Sequence, residues 1–207
     1  MLSFQTVVPD TLELLRKLMS IPQLSGLRLV GGTALALLYG HRRSVDLDLF
    51  GDLESDTSVV TEWLRGFEKL EQRSCSKIIK AFNINGVKVD LVNYSFYKWL
   101  YEPIEEDGLR LASPQDIAAM KVNAIIGRGT KKDFIDMYFL LQHFSFDQIL
   151  SFYMDKYPEH SVFRALLSMT YFEDAEVQPM PQMFVDVSWN DIKDHINKVV
   201  KDYNKRM

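Results

Sequence analysis

The chain has 207 residues, a formal net charge of −4 and a single cysteine, Cys75. This length suits one large or two small domains with a real core. One cysteine excludes an intrachain disulfide and a cysteine-rich zinc site, and the acidic balance argues against a broadly cationic surface for nucleic acid. The first 19 residues lack the apolar core of a signal peptide and no apolar run reaches ~20 residues, so we expect no membrane span and a cytoplasmic location.

The N-terminal half of the chain predicts helices that alternate with short strands. Asp10 and Glu13 have the spacing of a capping box, which favours a first amphipathic helix. Asn85-Gly86, between two β-rich runs, is the strongest short hairpin signal. The predicted elements are a helix from Asp10, a strand over 27–30, a helix over 33–39, a strand over 45–50, a helix over 57–70, and hairpin arms over 77–84 and 87–93.

After Gly108 the pattern becomes helical. Ser113 is a predicted N-cap, with proline at the first helical position and an acidic residue at the third. Thr130 and Asp133 predict the same kind of cap for the next helix. The expected helices cover 113–126, 130–141, 147–156, 162–171 and 190–206. The chain therefore reads as α+β, with an α/β lobe holding a small mixed sheet over 1–110 and a helical lobe over 111–207.

The stretch from Gly31 to Phe50 carries the clearest chemistry. The pair Gly31-Gly32 lets backbone approach a phosphate, and the following helix start offers free N–H groups and a positive dipole end. Asp46 and Asp48 are two residues apart on a strand, so both carboxylates share one face. Mg²⁺ or Mn²⁺ takes such carboxylates together with substrate phosphates, which predicts a site for a nucleoside triphosphate (NTP) and a metal. The apolar residues expected to be buried on the opposite face are Val45, Leu47 and Leu49.

Asp90 is a charged residue within an apolar arm of the predicted hairpin. It shares a strand face with Lys88 and Val92, and beside Asp46 and Asp48 it becomes a candidate third carboxylate. Two other interpretations stay open from the residues alone. Asp90 can be an edge-strand charge that discourages aggregation, and an isolated Asp-x-Asp can be a solvent-facing pair.

A local basic cluster lies in the predicted helical lobe, formed by Lys121, Arg128, Lys131 and Lys132. A triphosphate needs such charges to neutralise its oxygens. Basic residues also favour helix C-termini and acidic ones N-termini, which accounts for Arg128 and Asp133 without a ligand. Lys121 is not explained in this way, because it lies in mid-helix among apolar residues. Asp136 is on the same helix face as Asp133 and can hold a lysine in place.

Two motifs resemble those of the AbiEii/AbiGii toxin family of nucleotidyltransferases, within the DNA polymerase β-type superfamily. The first is Gly-Gly-Thr-Ala over 31–34 followed by His-Arg-x-Ser-x-Asp-Leu-Asp-Leu-Phe over 41–50, and the second runs from Lys121 to Leu141. The resemblance covers roughly residues 25–145. It implies a nucleotidyltransferase-type α/β lobe followed by a helical lobe, while residues 146–207 carry no matching motif.

The resemblance also implies roles for individual residues. Gly31 and Gly32 would contact the triphosphate, and Thr33 would substitute for the hydroxyl of the Gly-Ser form of the motif. Asp46 and Asp48 would bind the metal, with Asp90 as the carboxylate that activates the attacking hydroxyl. The other implied residues are Arg42 and Ser44, which shape the loop before the acidic pair, Lys121, Arg128 and Lys132, which grip the nucleotide, and Asp133 or Asp136, the final acidic motif.

We therefore expect a bacterial toxin-type enzyme that transfers NMP from an NTP to an acceptor, with the tRNA 3′ end as a candidate. Its expected cofactor is Mg²⁺ or Mn²⁺, and its expected protein partner is a cognate antitoxin. Two alternatives stay open: a non-catalytic nucleotide- or partner-binding module on the same fold, and an Asp-x-Asp glycosyltransferase. Glycosyltransferases usually need a longer nucleotide-binding domain and lack a glycine pair before the acidic strand.

Overall fold

A seven-stranded mixed sheet organises the first part of the chain in the computed structural model, which describes residues 1–206. Its strands are β1 (Arg28–Leu29), β2 (Leu47–Gly51), β3 (Leu70–Cys75), β4 (Ile79–Ile84), β5 (Val87–Asn93), β6 (Ile104–Glu106) and β7 (Leu109–Leu111). Their order in the sheet is β3-β4-β5-β2-β1-β7-β6. The pairs β2–β5 and β1–β7 are parallel and the others are antiparallel. The predicted mixed α/β fold is confirmed.

The chain divides into two compact units. The first combines Met1–Lys98 with Glu102–Ala112 and contains the whole sheet. The second combines Trp99–Tyr101 with the residues from Ser113 onward and is helical. Within residues 1–206, no helix has the combined length and apolar character that crossing a membrane requires.

Three helices accompany the sheet in the first unit: α1 (Pro9–Met19), α2 (Gly31–Tyr39) and α3 (Thr57–Trp63). The predicted capping box at α1 is wrong, because Val8 is the N-cap and proline occupies the first helical position. Glu13 instead pairs with Lys17, 2.7 Å away on the same exposed helix face. Helix α2 begins directly at Gly31, so its first turn contains both glycines of the predicted phosphate-binding turn.

Two hairpins of the sheet have two-residue turns at positive φ. The hairpin around Asn85-Gly86 is confirmed, with both turn residues at positive φ and Ile84 paired with Val87. Asp107 and Gly108 also adopt positive φ values and join β6 to β7, a hairpin that the sequence interpretation does not include. The helix predicted over 57–70 ends at Trp63, and β3 begins at Leu70. The residues of β3 are polar and largely exposed, so no apolar alternation announced a strand.

The second unit contains α4 (Pro114–Gly127), α5 (Lys131–Leu140), α6 (Phe146–Lys156), α7 (Val162–Met169), α8 (Glu173–Glu176) and α9 (Trp189–Asn204). The predicted caps are confirmed: the Ser113 side chain accepts from the Asp116 N–H, and Thr130 and Asp133 form a capping box. A fully buried ion pair joins α4 to α6, with Lys156 Nζ 2.7 Å from Asp116 Oδ1. Asp116 also accepts the backbone N–H of Leu100, which fastens the 99–101 segment within this unit.

Candidate nucleotide and metal site

Asp48 and Asp90 occupy directly paired positions on the central parallel strands β2 and β5. Their side chains are partly exposed, whereas Leu47, Leu49 and Leu91 on the opposite face are buried. Asp46 lies immediately before β2, two residues from Asp48. The expectation that Val45 is buried is wrong: its side chain is 46% exposed, because the regular strand begins only at Leu47. The fold thus brings the three predicted carboxylates to one part of the sheet.

The two oxygens of Asp90 differ in their surroundings. Oδ2 accepts from Lys88 Nζ at 2.7 Å, whereas Oδ1 is buried and has no hydrogen-bond partner among the described residues. The hydrogen bond with Asp90 raises the pKa of Lys88 against the opposing effect of burial, and the charges of Asp48 and Asp46 raise it further. Lys88 is therefore a positively charged neighbour of Asp46, Asp48 and Asp90. Sequence reasoning placed Lys88 on the same strand face as Asp90 but gave it no role.

The glycine turn lies against the acidic strand. Gly31 has φ +67°, and a Cβ atom there would lie 2.8 Å from Asp48 Oδ2. A Cβ atom at Gly32 would overlap the guanidinium of Arg42. Both contacts exclude a side chain at these positions, so glycine allows the backbone to lie close to the Asp48 carboxylate and to the buried Arg42. Backbone N–H groups at the start of α2 are of the kind that bind phosphate oxygens.

The loop before β2 is held by buried side chains. The Thr33 hydroxyl donates to the backbone carbonyl of Asp46, and its oxygen lies 2.8 Å from Ser44 Oγ. Arg42 Nη1 donates to the Arg43 carbonyl at 3.1 Å. Thr33, Arg42 and Ser44 are all buried. These contacts fix the backbone that carries Asp46, so the structure gives the Thr33 hydroxyl a positioning contact within the loop.

A second charged cluster lies within the helical unit. Lys121 Nζ is 2.9 Å from Asp133 Oδ1 and 2.6 Å from Asp136 Oδ2, and all three side chains are buried. Arg128 donates to both Asp133 oxygens, at 2.9 and 3.0 Å, while 65% of its side chain remains exposed. Burial acts to raise the pKa of Asp133, but the Lys121 charge and hydrogen bonds from Arg128 and Thr130 outweigh it. The pKa of Asp133 therefore lies well below its usual range.

The adjacent lysines at the start of α5 have different environments. Lys131 is buried, donates to the Glu176 carbonyl at 3.2 Å and lies 4.9 Å from the Trp189 ring centroid. Lys132 is exposed. Helix direction explains the difference, because consecutive helical residues point about 100° apart. Only Lys132 of the two presents its charge to solvent.

The fit to a metal ion can be judged from the carboxylates themselves. Among residues 1–206, no three His, Cys, Asp or Glu side chains are grouped closely enough to hold a metal by themselves. Mg²⁺ commonly takes only one or two carboxylates and completes its shell with water and substrate phosphates. The unpartnered Asp90 Oδ1 and the Gly31 backbone, which lies against Asp48, suit that shared mode. The residues therefore fit a metal that is bound together with a nucleotide.

Sequence comparison finds relatives along nearly the whole chain. Residues 13–103 and 85–205 match the family described as "Nucleotidyl transferase AbiEii toxin, Type IV TA system". The uncharacterized protein aq_aa25 of Aquifex aeolicus (strain VF5) is 30% identical over 203 residues, which cover 92% of this chain and 94% of that protein. The family match extends through residues 146–205, where no motif was recognised.

Solved structures share the fold at low sequence identity. JHP933 of Helicobacter pylori superposes with a TM-score of 0.57 and 18% identity, covering 97% of this chain and 96% of its own. MenT4, a nucleotidyltransferase toxin of Mycobacterium tuberculosis H37Rv, gives a TM-score of 0.55 and 13% identity, covering 91% and 83%. Those proteins therefore have the same fold as this chain.

Proposed function

Because this chain belongs to the AbiEii family of nucleotidyl transferase toxins, we propose that it transfers NMP from an NTP to the 3′ hydroxyl of an RNA acceptor. The resemblance seen in its two motifs is confirmed by the family match, which favours a nucleotidyltransferase over an Asp-x-Asp glycosyltransferase. One observation supports the proposed chemistry most strongly: Asp48 pairs with Asp90 beside a glycine turn whose backbone lies against the Asp48 carboxylate and the Arg42 guanidinium.

We assign the three carboxylates to metal binding and proton transfer. Asp46, Asp48 and Asp90 would hold Mg²⁺ or Mn²⁺, which when bound neutralises phosphate charge and makes the acceptor hydroxyl easier to ionise. The acceptor oxygen attacks the α-phosphorus, the bond to the bridging oxygen breaks, and pyrophosphate leaves. The hydroxyl proton passes to Asp90, the carboxylate that we assign to activating the acceptor.

The glycine turn is assigned to the triphosphate. Backbone N–H groups of Gly31 and Gly32 and the positive end of the α2 dipole favour anionic oxygens there. Arg42 adds a buried positive charge against Gly32. Thr33 and Ser44 keep the loop and the Asp46 backbone in place, which makes them positioning residues.

The helical cluster is assigned to the charge of the nucleotide. Lys121 and Asp133 are buried and paired with each other, so we propose that they act on the reaction by positioning the exposed cations of the cluster. Arg128 and Lys132 are the cluster's exposed cations, so we assign them to direct phosphate contact. Asp133 orients the Arg128 guanidinium through two hydrogen bonds, and Asp136 shares the Lys121 ammonium.

We further propose that the protein acts as a toxin in a bacterial cytoplasm and that a cognate antitoxin restrains it. The family description names a type IV toxin–antitoxin system, and MenT4 is named a nucleotidyltransferase toxin. Transfer to a tRNA 3′ end would block aminoacylation and hence translation. The net charge of −4 implies that an RNA acceptor binds through local cations rather than a broad basic surface.

Label placement tests the reaction type. The protein is incubated with Mg²⁺, total tRNA and each NTP in turn, carrying ³²P at either the α or the γ position. We expect α-label from a preferred NTP on the RNA and γ-label only in pyrophosphate. Transfer of γ-label would indicate a phosphotransferase, and NTP binding without any transfer would indicate the non-catalytic module.

A further inference from the structure

Lys88 occupies a distinctive position on the acidic face of the sheet. Its ammonium lies 2.7 Å from Asp90 Oδ2, on the strand face that also carries Asp90. The charges of Asp48 and Asp46 also raise the pKa of this lysine. Lys88 therefore interacts with all three carboxylates of the group and contacts Asp90 directly.

The contact has a direct consequence for metal binding. An ammonium at this distance from one oxygen of a carboxylate opposes a divalent cation at the other oxygen, because the two cations repel each other. The Lys88 side chain is 43% exposed, so it can turn into solvent at little cost. The protein without metal therefore carries an internal cation at a carboxylate that we assign to the metal.

On the basis of the function proposed above, we propose that Lys88 is a built-in counter-ion that competes with the divalent metal for Asp90. In the metal-free protein it offsets the mutual repulsion of Asp46, Asp48 and Asp90. A nucleotide changes this balance, because its phosphates supply further oxygen ligands to the metal and an anion for the released ammonium. Lys88 thereby makes metal binding depend on the nucleotide, and it acts as a positioning residue.

Binding of Mn²⁺ in the absence and in the presence of NTP, measured by electron paramagnetic resonance on the full chain, tests this inference. We expect Lys88→Met to bind Mn²⁺ at least about fivefold more tightly than the unmodified protein, as expected for loss of one close ionic competitor. Lys88→Arg retains the cation and should restore the weaker affinity. Added NTP should strengthen Mn²⁺ binding strongly in the unmodified protein and only slightly in Lys88→Met.

Two controls separate direct competition from a general charge effect. Lys17→Met removes the same charge from a lysine that also lies 2.7 Å from a carboxylate, that of Glu13, and should leave Mn²⁺ affinity unchanged. In an Asp90→Asn background, Lys88→Met should no longer tighten binding. If Lys88→Met misfolds by circular dichroism, Lys88→Gln replaces it with the same expectation.

The outcomes also distinguish this inference from the proposed function. Equal or weaker Mn²⁺ binding by Lys88→Met, in a protein that still transfers α-label, overturns the role of Lys88 alone. If no variant binds Mn²⁺ with or without NTP and no label is transferred, both the role of Lys88 and the proposed reaction are wrong.

Discussion

Asp48 and Asp90 face each other across the parallel pair β2–β5, in the middle of a seven-stranded sheet. Parallel strands in such a position are usually apolar on both faces. Two paired carboxylates there repel each other, and Asp46 adds a third negative charge nearby. Lys88 pairs with Asp90 and offsets part of this repulsion, and the negative charge that remains is the physical reason to assign the group to metal and nucleotide chemistry.

Gly31→Ala is expected to lose stability and transferase activity together. A positive φ alone costs an alanine about 1–2 kcal/mol, and here the new Cβ would also press on the Asp48 carboxylate. Gly86→Ala is the matched control, because Gly86 has φ +87° but open space around its Cβ position. Urea unfolding should show a larger loss for Gly31→Ala than for Gly86→Ala. Similar losses, with unchanged activity in both variants, would contradict the close approach to Asp48.

Lys121→Met should lower the free energy of unfolding by about 3–5 kcal/mol, because two buried carboxylates lose their shared cation. Lys198→Met, at an exposed position of α9, should change it by less than about 0.5 kcal/mol. Replacing both Asp133 and Asp136 by Asn in the Lys121→Met background should recover part of the loss. No recovery in chemical denaturation would show that the cost comes from packing rather than charge.

Lowering the pH should reduce the contribution of Asp133 to the free energy of unfolding. The pKa of Asp133 is lower in the folded chain than in the unfolded one, so folding is favoured by its ionised form. That contribution is complete above the ordinary Asp pKa of about 3.9 and is lost as the pH falls through the lower folded value. The difference in unfolding free energy between the unmodified protein and Asp133→Asn should therefore shrink from pH 6 to pH 3. A constant difference over that range would contradict a stabilising role for the ionised Asp133 carboxylate.

Substitution of Lys131 should affect the stability of the protein, whereas substitution of Lys132 should affect nucleotide binding. Lys131→Ala removes a buried contact with the Glu176 carbonyl and the Trp189 ring, so the melting temperature should fall. Lys132→Ala should leave the melting temperature unchanged and weaken NTP affinity about three- to tenfold, since an exposed phosphate contact is lost. Calorimetric NTP titration and thermal unfolding of both variants give the two readouts. The reverse pattern would show that the wrong lysine has been assigned.

Local sequence signals predicted the parts of this protein that depend on neighbouring residues. The glycine pair, the shared face of Asp46 and Asp48, and the Ser113 cap all follow from spacing along one segment. The pairing of Asp48 with Asp90 could be suggested but not fixed, because it depends on which strands become neighbours. Strand β3 was not predicted, because it is mostly polar and exposed. The β6–β7 hairpin was not predicted, because the Asp107-Gly108 turn joins strands of only three residues.

Residue roles that depend on burial also could not be predicted from the sequence. Lys131 and Lys132 are adjacent and chemically identical, yet only the fold shows that one is buried. The Thr33 hydroxyl was expected to serve the triphosphate, and its contact with the Asp46 carbonyl becomes visible only in three dimensions. The sequence does contain a signal for Lys88, because a cation two residues from Asp90 on a strand shares its face.

The central claim is that the paired carboxylates support NMP transfer, and the most direct test compares Asp48→Asn with Asp52→Asn. Asp52 is an exposed aspartate just beyond the same strand, so its substitution removes the same charge nearby. With α-³²P-NTP, Mg²⁺ and total tRNA, Asp48→Asn should lower the rate of labelling about 100-fold or more in a protein that circular dichroism shows to be folded. Asp52→Asn should label RNA at the unmodified rate. Full labelling by a folded Asp48→Asn protein would contradict the claim.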